Sequence, residues 1–375
     1  MLAESLLFGA SVVTSTAARV LLIGDVAPPR PAGGQTTLAL VLVVVVAVFV
    51  ALLARLAAQK KKTEEAAAKI LSMSENMLSL SSLPISRSQI GTYTLKEKLA
   101  EGVGFISYRA VTQHGEACDL KIPTTSALED KTAVGRLERE ASVLEGIDSP
   151  HVVRFKAFEK LKDRGRVIPI LVTEPVRGEE LSSVIKRVGA MHPLDVISIM
   201  ADIASALAAV HRNQNVHRNL KPQSVSVTEN GRAILHNFGV VQADEAQQLT
   251  QRGDVLGTGL YMSPEQITGK TLDGRSDLYS LGVLAYEMLT GQPPHAGVPF
   301  GELVMRKMTQ EAPHPGLVVP GIPSELDDLV SRLLSKESSG RPASAGYLIT
   351  ELSTLETNLS RERSDDEDAP RLHDM

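Results

Sequence analysis

The chain has 375 residues, a hydrophobic content of 43% and a formal net charge of −5. This length fits one large domain with appended segments, on a guide of roughly 100–200 residues per domain. The Lys and Arg residues are dispersed along the sequence, which argues against a nucleic-acid-binding protein. The single cysteine, Cys118, excludes an intrachain disulfide and fits a domain kept in a reducing compartment.

The N-terminal region contains one long apolar segment. Residues 38–54 read LALVLVVVVAVFVALLA, and a helix needs about 20 such residues to cross a hydrocarbon core of roughly 30 Å. Arg55 can extend the span because its charged head can reach the interface. We therefore predict a transmembrane helix at residues 37–58. Three lysines follow at residues 60–62, and since flanks rich in Lys and Arg stay inside, the C-terminal part is predicted to be cytoplasmic in a single-pass membrane protein.

Three further segments flank the apolar stretch or end the chain. Residues 1–36 are a short N-terminal or extracytoplasmic segment, in which residues 1–30 could be a degenerate signal peptide, a second weak span or an extracytoplasmic stub. Residues 59–90 resemble a juxtamembrane linker, in which residues 64–80 form a weak apolar stripe of helical period. That stripe fits a solvated spacer helix, a helix on the membrane or a short coiled coil that makes a homodimer. Residues 357–375 are acidic and poor in apolar side chains, which predicts a disordered tail.

Residues 91–356 show the pattern of a two-lobed α+β domain. Short alternating segments come first, interrupted by one predicted helix at residues 128–146. After a Pro/Gly hinge at residues 175–178 the pattern becomes helical, most clearly at residues 193–212 and 276–290. The sequence therefore predicts a small β-rich lobe followed by a large α-helical lobe. The predicted strands are residues 93–101, 105–111, 117–122, 152–158 and 167–174.

Two motifs in the large lobe carry the strongest signal. Residues 216–224 read VHRNLKPQS and residues 236–239 read HNFG. They resemble the His-Arg-Asp-Leu-Lys-Pro-x-Asn and Asp-Phe-Gly signatures of protein kinases. With further landmarks in the family's order, residues 93–355 resemble the bacterial-type Ser/Thr protein kinases. These landmarks are Lys121, Glu140, Glu174, His217, Arg218, Phe238, residues 257–265 (GTGLYMSPE), Asp277 and Arg341.

The resemblance implies structural roles for one group of residues. Glu265 is expected to pair with Arg341 inside the large lobe, and removing one partner of such a buried pair typically costs about 3–5 kcal/mol. Asp277 is expected to cap the backbone of the catalytic loop, whose scaffold His217 and Arg218 retain. The apolar column that links the lobes in this family is matched by Leu144, His217 and Phe238.

The same resemblance implies that the catalytic positions are altered. Asn219 stands in place of the base Asp, Ser224 in place of a metal-binding Asn, and Asn237 in place of a metal-binding Asp. An amide does not accept a proton from a substrate hydroxyl near neutral pH. Mg²⁺ usually takes one or two carboxylates, and these side chains supply none. We expect no catalytic group and no metal site, which indicates a degenerate, pseudokinase-like member.

The nucleotide-binding positions are altered as well. In residues 100–105 (AEGVGF) only Gly102 keeps the register of the glycine-rich loop, and Phe105 adds bulk at its tip. Burying the carboxylate of Asp119 against a purine would be costly unless it is paired, and Lys121 is one candidate partner. The residues that match the family's adenine sandwich are Ser107, Asp119 and Ser226. The expected remnants of the nucleotide site are Gly102, Lys121, Glu140, Glu174 and Val176, the last two because family members bind adenine through the carbonyl and the amide at these positions.

These patterns favour a membrane-anchored pseudokinase that works as a protein-binding, scaffolding or regulatory module in signalling. No cofactor is expected in that case, and the partners would be proteins such as an active kinase or a phosphorylated client. One alternative is a divergent active Ser/Thr kinase that uses ATP and Mg²⁺, with Asp119 or Glu101 as a substitute acid. The other is a kinase-like domain that binds nucleotide without transferring phosphate.

Overall fold

The computed structural model describes residues 89–102, 104–163, 165–238 and 259–365, with side chains as far as residue 361. All of them belong to one compact unit that spans residues 78–375. The predictions for residues 1–36, 37–58, 59–88 and 366–375 lie outside the described residues. The transmembrane helix and the homodimer through the juxtamembrane helix therefore stay predictions.

The small lobe is built on a six-stranded antiparallel sheet with the strand order β1-β2-β3-β4-β6-β5. In β3 the side chains alternate, so that Ile106 and Tyr108 enter the small-lobe core, while Ser107 and Arg109 face the opposite side. The strands are β1 Gln89–Ile90, β2 Tyr93–Gly102, β3 Phe105–Val111, β4 Ala117–Pro123, β5 Phe155–Asp163 and β6 Arg166–Thr173. Strand β1 takes the last two residues of the predicted linker, so the folded domain begins slightly earlier than predicted.

The single helix predicted at residues 128–146 is two helices. These are α1, Thr125–Glu129, and α2, Lys131–Glu145. The break falls at Asp130, whose extended backbone and side-chain bond to the Thr132 N–H (2.8 Å) make it the N-cap of α2. Periodicity alone could not show this break because it depends on the capping contact that Asp130 makes.

The fourth strand lies further along the chain than the prediction of residues 152–158. Val152 and Val153 are buried in the large core cluster, and Val153 N–H donates to the Leu235 carbonyl (2.9 Å). Strand β5 begins only at Phe155. The apolar run at the predicted position therefore belongs to the junction with the large lobe, and the strand extends into a more polar segment.

The large lobe is mainly helical, as predicted. Helix α4 (Pro193–Arg212) is the one described helix long and apolar enough to cross a membrane, and 61% of its most apolar window is buried inside the lobe. A Cβ on Gly282 of α6 (Gly274–Thr290) would lie 2.7 Å from Leu333 Cβ, so the glycine allows α6 and α9 (Ser324–Leu333) to approach closely. Strands β7 Glu179–Glu180, β8 Val225–Val227 and β9 Ala233–Leu235 form a small second sheet. The helices are α3 Leu181–Val188, α4 Pro193–Arg212, α5 Pro264–Ile267, α6 Gly274–Thr290, α7 Phe300–Thr309, α8 Pro315–Val318, α9 Ser324–Leu333 and α10 Ala345–Asp365.

Helix α10 corrects the predicted disordered tail. It runs to Asp365, so the first nine residues of the segment 357–375 are helical. Leu348, Leu352 and Leu355 are buried in the large-lobe core, and Leu359 packs against it. These leucines recur along α10 at helical spacing and face the core. The helix therefore continues beyond residue 356, where the acidic composition predicted that the folded domain ends.

Candidate functional site

Lys121 and Glu140 form an ion pair at the inner end of the cleft between the lobes. Lys121 projects from β4 and its Nζ lies 2.7 and 3.0 Å from the two carboxylate oxygens of Glu140 on α2. The side chain of Glu140 is only 6% exposed. The Lys121 Nζ also lies 5.6 Å from the ring centroid of Phe105, within cation–π range. Phe105 therefore lies beside the lysine that would contact phosphate in the family.

Asp119 is paired with Arg109, and the expected candidate partner Lys121 is engaged by Glu140. The Arg109 Nε donates to Asp119 Oδ1, and its Nη2 lies 3.2 Å from Oδ2. The Val176 N–H in the hinge also donates to Asp119 Oδ2, at 3.2 Å. Arg109 Nη2 in turn donates to the Val176 carbonyl, at 3.2 Å. We call this arrangement of the Arg109 and Asp119 side chains with the Val176 backbone the hinge clasp.

The register of strands β3 and β4 explains the clasp. Arg109 lies directly opposite Asp119, and Ser107 lies opposite Lys121. Directly opposed residues on one face of an antiparallel pair bring their Cβ atoms about 4.5–5.5 Å apart, so opposite charges there attract. The sequence interpretation missed Arg109. Counting back from the turn around Gly115 would have revealed it.

The side of the cleft opposite the clasp is also polar. Ser226 Oγ and His236 Nε2 are 2.9 Å apart. Burial, with a smaller contribution from His217, lowers the pKa of His236 to about 4, so its imidazole is neutral at physiological pH. A cavity of about 250 Å³ remains between the two surfaces. It is lined by Ser107, Arg109, Asp119, Lys121, Ser226 and His236, among others.

The side chains at the three altered catalytic positions bond to nearby backbone groups. Ser224 is fully buried, and its hydroxyl donates to the Lys221 carbonyl (2.8 Å) and accepts from the Lys221 N–H (3.0 Å). The Asn237 amide donates to the Gln223 carbonyl (3.2 Å). The Asn219 amide donates to the Asn237 carbonyl, also at 3.2 Å. These groups brace the loop and bring no negative charge to it.

Asp277 lies where it caps the catalytic loop. Its two oxygens accept from the backbone N–H groups of His217 (2.8 Å) and Arg218 (2.9 Å) and from His211 Nε2 (2.8 Å). Burial alone would raise the pKa of Asp277, but the hydrogen bond and charge of His211 outweigh it and lower the pKa. Arg218 has a positive φ of 64°, an uncommon conformation that the surrounding contacts must hold. The Gln266 side chain, which the sequence interpretation missed, donates to the Arg218 carbonyl (2.9 Å).

Glu265 and Arg341 form a bidentate pair, with distances of 2.6 and 3.0 Å. Burial alone would raise the pKa of Glu265, but hydrogen bonds from Arg341 and Ser276 outweigh it and lower the pKa to about 2. The fully buried guanidinium also bonds to carbonyls. These carbonyls belong to Arg275, Ser335 and Lys336.

Lys307 is a second buried basic residue of the large lobe, after Arg341, and the sequence interpretation missed it. The side chain lies 2% exposed on α7 and donates to the carbonyls of Leu260 (2.6 Å) and Met262 (2.7 Å). Burial lowers the pKa of Lys307 to about 7. A neutral amine has two N–H bonds and an ammonium three, so either form can serve both carbonyls. Lys307 thus ties the segment before Glu265 to the lobe.

The predicted column between the lobes is present as buried contacts. Leu144, His217 and Phe238 are 2%, 1% and 3% exposed, and the rings of His217 and Phe238 pack edge to face with centroids 4.5 Å apart. Gly102 and Glu174 are the two other residues expected at the nucleotide site. Gly102 ends β2 with no atom within 4 Å of a Cβ built there, and Glu174 is exposed at the hinge.

The two-lobed architecture and this set of landmarks define a protein-kinase fold. The family model described as protein kinase domain matches residues 93–352. The chain belongs to this family, among its bacterial-type Ser/Thr members. The solved kinase domain of PknI from Mycobacterium tuberculosis has the same fold, with a TM-score of 0.54 and 22% identity over 71% of this chain and 96% of that one.

Curated relatives match the same region. Serine/threonine-protein kinase PknH of Mycobacterium bovis is 34% identical over 262 residues, which are 70% of this chain and 43% of PknH. PknB of Bifidobacterium longum is 32% identical over 70% of this chain and 39% of PknB. PknL of Mycobacterium tuberculosis is 30% identical over 72% of this chain and 66% of PknL. The chain therefore spans less than half the length of the first two relatives.

Proposed function

We propose that this kinase-family chain is a pseudokinase, a protein-binding or regulatory module that does not transfer phosphate. The observation that carries the proposal is the state of the three catalytic positions. Asn219, Ser224 and Asn237 supply no carboxylate. The Ser224 side chain bonds to the backbone of its own loop, and the Asn219 and Asn237 side chains each bond to the backbone of the other's loop. Phosphoryl transfer relies on metal ions that neutralise charge and on a carboxylate base that orients the substrate hydroxyl. Neither ATP nor Mg²⁺ is then required as a cofactor.

A radiolabel transfer assay tests this proposal. The full-length chain is incubated with γ-labelled ATP, Mg²⁺ or Mn²⁺ and a generic basic protein substrate, beside Lys121→Ala as the control. We expect the two proteins to show the same background. Transfer by the wild type that Lys121→Ala abolishes would contradict the proposal, because the lysine would then be serving a bound nucleotide.

The alternative of a divergent active kinase has one specific observation in its favour. The Lys121–Glu140 pair is intact, as the active arrangement of the family requires, and the relatives are named serine/threonine kinases. The same pair also aligns helix α2 with the sheet, which a scaffold needs as well. The candidate substitute acid Asp119 is engaged by Arg109 and Val176, which weakens the enzymatic alternative.

We further propose that the module is held at the cytoplasmic face of a membrane by residues 37–58. The apolar run of residues 38–54 and the lysines at 60–62 support this. Its partners would be proteins, such as an active kinase or a phosphorylated client. Alkaline extraction of membranes from cells that express the full chain tests the anchor. Retention in the pellet is expected, and release when residues 38–54 are replaced by a Gly/Ser segment.

A further inference from the structure

The hinge clasp occupies the two polar backbone groups of one hinge residue. Buried backbone N–H and C=O groups need partners, and in a cleft that binds a ligand the ligand can supply them. Here the Val176 N–H is bonded to Asp119 and the Val176 carbonyl to Arg109. In this family the amide at the Val176 position binds adenine. The protein itself has taken the bond that adenine would make.

The clasp is built from a strong type of interaction. Arg109 and Asp119 meet through two nitrogen–oxygen contacts, the bidentate form that is stronger and more directional than a neutral hydrogen bond. Their side chains are only 29% and 13% exposed, so water screens the pair less than it screens a surface pair. A purine that displaced Asp119 from Val176 would have to disturb this ion pair.

The rest of the cleft supports the same interpretation. Ser226 and His236 present a hydrogen-bonded polar surface where a purine face needs an apolar one. Phe105 lies beside Lys121 at the position expected for phosphate. The remaining cavity of about 250 Å³ is lined by apolar side chains such as Leu144 and by three polar pairs that are already bonded, Arg109–Asp119, Lys121–Glu140 and Ser226–His236.

We propose that the Arg109–Asp119 pair is a built-in occupant of the adenine subsite, and that Asp119, held in place by Arg109, excludes purines by bonding to the Val176 N–H. The clasp joins the sheet of the small lobe to the hinge through the protein's own side chains. This deepens the proposed function, because it assigns the exclusion of nucleotide to two named side chains. It does not depend on the catalytic positions.

Adenosine binding to the full-length chain tests the clasp. Adenosine has no phosphate and needs no metal, so it reports on the adenine subsite alone, whereas the radiolabel assay reports on transfer alone. We expect no binding by the wild type at millimolar adenosine in calorimetry. The double variant Arg109→Leu/Asp119→Ala, which removes both charges, should bind with a dissociation constant roughly tenfold or more below the highest adenosine concentration at which the wild type shows no binding. A matched variant, Arg332→Leu/Glu351→Ala, removes a similar pair on α9 and α10 and should not bind.

Hydrogen exchange at the Val176 amide provides a second measurement. We expect protection in the wild type, roughly tenfold or more faster exchange in Asp119→Ala, and retained protection in Asp119→Asn, whose amide oxygen can still accept. The exchange measurement tests the proposal even if the double variant does not fold. Adenosine binding by the wild type, equal binding by the double variant and the wild type, or equal exchange in Asp119→Ala and the wild type would each overturn the proposal.

Discussion

The large lobe and the cleft use their charged residues in opposite ways. In the large lobe Asp277 and the Glu265–Arg341 pair each bond to several groups and hold loops in place. In the cleft Asp119 and Arg109 stand where the family places a nucleotide, and they bond to the hinge. Under the proposed function a ligand site is lost while the architecture is preserved, because the two depend on different side chains.

Among the single substitutions, removing the buried cation of the large lobe should have the largest effect. Arg341→Met leaves Glu265 buried without its partner and also frees three carbonyls, so the free energy of unfolding should fall by about 3–5 kcal/mol. Urea unfolding followed by circular dichroism measures it. The control Arg332→Met removes an exposed cation and should cost about 1 kcal/mol or less. Equal losses of unfolding free energy in the two variants would contradict the structural role assigned to the Glu265–Arg341 pair.

Acid should destabilise the junction between the two regions. Burial lowers the pKa values of His217 and His236 from 6.5 to about 4, so between these pH values the unfolded state binds more protons than the folded state. Stability should be intact above pH 6.5 and fall as the pH approaches 4, by roughly 3 kcal/mol for each imidazole.

Unfolding midpoints measured from pH 7.5 to 4 check this expectation. His236→Asn keeps a polar side chain near Ser226 but does not titrate, so the decline should become shallower. The exposed His114 supplies the control, because His114→Gln should leave the pH dependence as it is in the wild type. If the stability of His236→Asn fell with pH as steeply as that of the wild type, His236 would not be a source of the acid sensitivity.

Altering the loop cap should cost less than breaking the arginine pair. Asp277→Asn keeps one acceptor oxygen but turns an amide toward a backbone N–H of His217 or Arg218. Leaving one buried donor unsatisfied costs about 1–3 kcal/mol, which thermal unfolding should detect. Proteolysis should cut first near residues 217–218 if the cap acts locally. A loss of stability without any change in the cleavage pattern would argue against the local role.

Restoring the catalytic side chains alone should have the smallest effect. The triple variant Asn219→Asp/Ser224→Asn/Asn237→Asp brings two carboxylates back, but the hinge clasp remains. We expect no phosphate transfer above the background of the same variant carrying Lys121→Ala. Transfer by the triple variant would mean that nucleotide enters the cleft with the clasp in place. That result would contradict the proposed role of the clasp.

Much of the large-lobe network could be predicted because it depends on motifs at set spacing. Asp277, Glu265 and Arg341 were expected to cap and pair, and the structure places them in these contacts. The two lobes also followed from the change of periodicity at the hinge. The ends of elements were harder to predict, since the break at Asp130 depends on a cap and the length of α10 on packing against the core.

By itself the sequence determined the family, the two-lobed fold and the loss of carboxylates at the catalytic positions, because these follow from residue identity and order. Only the tertiary structure decided which group neutralises Asp119. The nearest cation along the chain, Lys121, is drawn to Glu140 on a different element, and Arg109 comes opposite Asp119 through the register of two strands. The approach of the hinge then completes the set of contacts. Partners in space depend on register and on the path of the chain, neither of which is contained in local spacing.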